Sequence, residues 1–163
     1  MTPRRYAALA LACFASLAPL TASFAHHSFA MYDRNVTYVL TGVVTSINPD
    51  PSHLQLLFVP LNEERTVLVR DTRDERIVWN VEMEGAAASA REGITASNFA
   101  RGTVISVGLN PLRNGAAGGS RVGALFRCPQ DKPPAAGLHC DAVEGATQYG
   151  DGTLATPTAT WTP

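Results

Sequence analysis

Residues 77–84 alternate without a break, with Ile77, Trp79, Val81 and Met83 on one side and Val78, Asn80, Glu82 and Glu84 on the other. Successive side chains of a β-strand point to opposite faces, so this segment can bury an apolar face and wet a polar one only as a strand. The pattern predicts Ile77, Trp79, Val81 and Met83 in a core and Glu82 and Glu84 outside it. Two carboxylates on one strand face can serve acid/base chemistry, but exposed strands carry such pairs routinely and no nucleophile accompanies this one.

The remaining strand signals are arranged around that one. Residues 36–47 are rich in β-branched and aromatic side chains and run into the Asn48-Pro49-Asp50-Pro51 turn. Gly42 interrupts them, which predicts a bulge or bend where a long first strand turns a barrel corner. Residues 54–59 form the next strand, ended by Pro60, and the charged segment 61–74 reads as a hairpin outside the main sheet around Val67-Leu68-Val69. Ala86 to Glu92 suits two helical turns, with Gly93 where a left-handed cap belongs. Further strands follow near 103–109 and 121–126, joined by a glycine-rich loop over 114–119. That loop opens no helix, so it reads as a hairpin connection and not as a phosphate cradle. The fold class is therefore mainly β: a single small OB-like five-stranded barrel with one short helix, strands near 36–47, 54–59, 76–83, 103–109 and 121–126. A β-sandwich is the alternative.

The chain start reads as an export signal. Arg4 and Arg5 precede an apolar run from Tyr6 to Leu20, and Ser23-Phe24-Ala25 puts small residues where a signal peptidase inspects them. Cleavage leaves His26 first and sends the protein to the periplasm or outside the cell. A retained anchor would need about 20 apolar residues, more than the run supplies; lipidation of Cys13 is a second alternative. The domain organisation follows: signal peptide 1–25, OB-like β domain 26–127, disulfide loop and low-complexity C-terminal tail 128–163. The tail is Pro-, Gly-, Ala- and Thr-rich and is expected to bury little, with Trp161 its one sizeable apolar side chain.

After cleavage only Cys128 and Cys140 remain, and in an oxidising compartment they are expected to pair. Zinc at His139 and Cys140 would need further ligands that the tail does not offer. The exported part keeps eleven basic residues against fourteen acidic ones. Its arginines are scattered among glycines without interleaved aromatics, which argues against nucleic acid as a partner.

These residues resemble an uncharacterised family of small exported bacterial proteins. The resemblance rests on His26-His27-Ser28-Phe29, Gly42-Val43-Val44, Trp79-Asn80-Val81-Glu82 and Asn110-Pro111-Leu112-Arg113-Asn114-Gly115, and spans roughly residues 26–127. It implies an exported single-domain β protein and no established activity. The family's Asn-Pro-His turn is altered here: Asp50 follows Asn48-Pro49, and the nearest histidine is His53.

No catalytic residues are nominated, since no nucleophile–base set, cofactor motif or pocketed acid pair is legible. Two function classes follow. One is a non-catalytic binding or accessory module for an envelope partner or small ligand, with no stable membrane span after cleavage. The other is a copper-binding protein in which a new N-terminal amine and the imidazoles of His26, His27 and His53 supply the nitrogen-rich set that Cu(II) favours. A solvated histidine tail is the plain alternative to that site.

Overall fold

A computed structural model describes residues 29–163. The expected signal segment, His26 and His27 lie outside the described residues. After a 3₁₀ turn, Phe29–Met31, come β1 (Tyr38–Pro49), β2 (Leu54–Pro60), β3 (Trp79–Glu82), α1 (Ala86–Arg91), β4 (Val104–Pro111), β5 (Gly118–Arg127), two further 3₁₀ turns (Pro129–Asp131 and Cys140–Ala142) and β6 (Thr147–Leu154). β1 pairs antiparallel with β2 on one side and β4 on the other, β2 pairs with β3, and β4 with β5. A short parallel pairing of β3 with β5, Asn80 to Gly118 through Glu82 to Ser120, closes the circuit. The five strands form the expected OB-like barrel, with the helix between β3 and β4.

Closure depends on β1 serving both halves. Its two ladders overlap at Gly42, which faces Pro60 of β2 and Ile105 of β4. A β-carbon there would lie 2.4 Å from the Val59 carbonyl oxygen and 2.5 Å from Phe58 Cδ2, so only glycine lets β2 cross so closely. The ladder to β2 then slips between Val44 and Ser46, a bulge that adds bend to the same strand.

The core follows the alternation read from residues 77–84. Trp79, Val81 and Met83 are buried, and Ile77 packs against the same cluster. Phe58, Leu54, Leu56, Ile105, Leu109 and Leu125 fill the barrel beside them, while Ile94 and Phe99 are buried just beyond α1. Each such side chain contributes about 1.5–3 kcal/mol when fully buried. Gly93, at φ +81°, ends the helix as expected.

Three elements differ from expectation. β3 starts at Trp79 and not near 76, because residues 61–77 make their own excursion with bridges Leu61 to Leu68 and Arg70 to Arg76. β5 starts at Gly118, inside the glycine-rich stretch. A β-carbon at Gly119 would stand 2.5 Å from the Asn110 carbonyl oxygen, so these glycines serve close strand approach. The C-terminal part buries more than its composition suggests. β6 adds a sixth strand along β5, and Tyr149 packs edge-on to Phe99 with centroids 4.7 Å apart. Beyond it Thr158 exchanges hydrogen bonds with Thr37, and Trp161 meets Trp79 edge-on at 5.3 Å. Two aromatic anchors and backbone pairing hold a segment otherwise poor in large apolar residues.

Candidate functional site

Two regions gather polar chemistry. The first holds the described member of the predicted metal set. His53 sits in the β1–β2 turn, where Asp50 Oδ1 accepts hydrogen bonds from the backbone N–H groups of Ser52 and His53. Its Nδ1 lies 3.3 Å from Oε1 of Glu82, at the end of β3. The cross-strand register explains the meeting: Gln55 faces Glu82, which puts the turn just before β2 beside that carboxylate. Tyr32 approaches Glu82 from the chain start. It is buried, and burial first, then a hydrogen bond to Glu82 and that carboxylate's charge, hold its phenol well above the usual range. Tyr32 in turn bridges to Leu112, while Arg113 donates from Nε to the Ala30 carbonyl at 3.1 Å.

Two of the segments that carry the family resemblance, the end of the Trp79–Glu82 strand and the Asn110–Gly115 hairpin, thus meet through Ala30 and Tyr32. Of the predicted ligands, the structure places His53 against Glu82; His26 and His27 lie outside the described residues. Among the described residues no group of three His, Cys, Asp or Glu side chains converges as a metal site. Glu82 is half-covered, whereas Glu84 is exposed, so the two carboxylates predicted to share a face have different surroundings.

The second region was not legible in the sequence. A cleft of about 430 Å³ lies against β1, between the 61–69 excursion, residues 137–139 and the C-terminal segment. Val39, Leu40, Pro60, Leu61 and Val69 supply an apolar lining, Trp161 a side wall, and Thr41, Asn62, Glu63, Arg65, His139, Thr160 and Thr162 the polar groups. The disulfide positions one wall. Cys128 and Cys140 are bonded and both buried, and the Cys140 backbone N–H donates to Ser106 Oγ at 2.8 Å. The loop they close is stitched to the excursion, with Gly137 N–H donating to the Glu63 carbonyl and Arg65 Nε to the Leu138 carbonyl, each at 3.0 Å.

A buried hydroxyl chain sets the state of His139. Ser106 Oγ and Thr41 Oγ1 are 2.7 Å apart, and Thr41 Oγ1 is 2.8 Å from His139 Nδ1. Proton counting assigns the direction. If Ser106 donates to Thr41 and Thr41 to Nδ1, both hydroxyl protons are used; the reverse order leaves the Ser106 proton without an acceptor in a fully buried site. His139 is then an Nδ1 acceptor with its proton on Nε2. Burial first, and next the positive charge of Arg65, hold its pKa below the ordinary histidine value against an opposing pull from Asp141. Thr41 beside a histidine has the outline of a nucleophile and base, but the residue is only 1% exposed and its hydroxyl is committed on both sides.

The fold and these regions define a small closed β-barrel of OB-like topology with a ligand-sized side cleft. A family of unknown function (DUF6152) matches residues 13–121, and the chain belongs to that family. No curated protein and no solved structure matches it.

Proposed function

We propose that this chain is an exported, non-catalytic binding module that takes a small ligand in the cleft beside β1. The cleft carries the reading. Its volume falls within the range of small-molecule sites, and its lining joins a mostly apolar floor to a few placed polar groups, as ligand recognition requires. The buried, doubly committed Thr41 favours binding over chemistry. Export is supported by the sequence of the first 25 residues and by the disulfide, which suits an oxidising compartment.

The test is titration of the exported protein with the neutral fluorescent probe N-phenyl-1-naphthylamine. Saturable binding that is lost in Val69→Arg, which puts a charge into the cleft wall from outside the barrel, is the expected result. A probe response unchanged in that variant rejects the cleft as the binding site.

A second reading is favoured by one contact. Glu82 facing His53 Nδ1 is the arrangement in which a carboxylate orients a metal-ligating imidazole. Copper would then be held by His53 together with the amine and imidazoles of His26 and His27. Cu(II) titration should distinguish the natural mature protein from one extended by an alanine before His26 and from His53→Ala. Equal, weak binding by all three removes this reading.

A further inference from the structure

We propose that the cleft selects a small organic anion, a carboxylate on an apolar body, and that Arg65 is the residue that recognises its charge. The inference rests on the cleft being the binding site. Among the described residues, two of the three half-buried arginines are paired with carboxylates. Arg121 Nη2 meets Glu92 Oε2 at 2.7 Å, and Arg127 meets both oxygens of Asp131 at 2.9 Å, so each has a carboxylate to offset its desolvation. Arg65 is treated differently. Its Nε donates to the Leu138 carbonyl and its Nη1 to the Asn62 carbonyl, each at 3.0 Å, and among the described residues it forms no ion pair.

Those two carbonyls hold the guanidinium in one plane, and neither takes a bond from Nη2. The backbone is committed to the same end, since Arg65 adopts φ +61°, a conformation that side chains other than glycine, Asn and Asp rarely take. Burial disfavours the charge of Arg65, with Glu63 opposing that effect. A carboxylate in the cleft would lie against a fixed, partly desolvated cation, where charge-assisted hydrogen bonds are strongest. The hydroxyl chain from Ser106 adds a second donor, since it leaves the His139 proton on Nε2, which no described residue accepts.

The opposing charges are Glu63, which itself lines the cleft, and Asp141. Both are exposed, so water and salt screen them more than the half-buried Arg65. The apolar half of the ligand meets Val39, Leu40 and Val69 on the floor and Trp161 on the side.

Two isosteric probes separate charge from shape: 4-phenylbutyrate and its neutral amide, 4-phenylbutyramide, titrated by calorimetry into the full exported protein. The acid is expected to bind about tenfold more tightly or better, and Arg65→Gln to bring the two to equal affinity. Arg65→Lys, which keeps the charge without the planar fork, should retain part of the preference and serves as the folded comparison if Arg65→Gln is unstable. Equal binding of acid and amide by the natural protein overturns the anion inference while leaving the cleft as an apolar site. A preference for the acid that survives Arg65→Gln overturns the role of Arg65. Binding of neither probe, together with failure of the neutral fluorescent probe, rejects the cleft reading itself.

Discussion

Gly42 shows how much of a fold can hang on a missing side chain. Its position is dictated by the crossing of β2 over β1, and the nearest obstacles to a β-carbon are the Val59 carbonyl and the Phe58 ring in the core. Backbone cannot step aside as a flexible side chain can. Gly42→Ala is therefore expected to cost about 1–3 kcal/mol or more in urea denaturation. Gly115→Ala, in a turn at φ +77° with nothing near its absent β-carbon, should lose about 1–2 kcal/mol from backbone conformation alone. His139 offers a pH signature at the same scale. Its folded pKa is lowered from the ordinary value of 6.5, with Arg65, Asp141 and Thr41 as the groups facing it. The unfolded chain then binds this proton first as pH falls, so stability is complete above about 6.5 and declines below it, down to the folded pKa. Denaturation midpoints from pH 7.5 to 5 should fall more steeply for the natural protein than for His139→Asn; parallel slopes would count against the assignment.

The C-terminal strap is the element whose contribution is easiest to isolate. Trp161 is half-buried, stacks edge-on against Trp79, and forms a wall of the cleft. An aromatic pair of this geometry is worth about 0.5–1.5 kcal/mol beyond its buried area. Trp161→Ala is accordingly expected to lower stability by about 1–2 kcal/mol, with faster amide exchange at Thr37 and Thr158, whose mutual hydrogen bonds hold the strap on β1. Exchange unchanged at both residues would show that Thr158 holds the strap without the tryptophan. β6 acts at the other end, where Gly150 closes over the Arg121–Glu92 pair and Tyr149 over Phe99.

On the scale of the whole molecule, the disulfide ties the barrel to everything packed outside it. Cys128 follows β5, and Cys140 is buried with Leu61 and Val104 in a second small core. The bond closes a separation of 12 residues, which in the chain-entropy picture stabilises the fold by about 3 kcal/mol. A Cys128→Ala/Cys140→Ala variant should lose about that much in denaturant. It should also lose the probe response of the cleft before the barrel unfolds, because residues 137–139 reach the cleft only through this loop. A variant that kept full probe binding would show the loop to be held by its hydrogen bonds to Glu63 and Arg65 instead.

Strand alternation, a mid-strand glycine, a short alanine-rich helix and two late cysteines were enough to specify the barrel and the disulfide, because these signals are local and each admits few structures. The convergence of His53, Glu82 and Tyr32 was only partly legible: Glu82 stood out as a motif member and His53 as a candidate ligand, but only the register of β2 on β3 decided that they meet, and Tyr32 belonged to none of the motifs. The sixth strand and the cleft were invisible in the linear chain, and the strap showed only as Trp161, a lone apolar side chain able to dock on the barrel. Their stability comes from long-range pairing and from single aromatic anchors landing on a finished barrel, and neither leaves a periodic trace in sequence. The site at Arg65 and His139 is the extreme case, since its members lie 74 positions apart along the chain, and what distinguishes them, an arginine held by carbonyls alone and a histidine fixed by a buried hydroxyl chain, exists only once the loops have closed over β1.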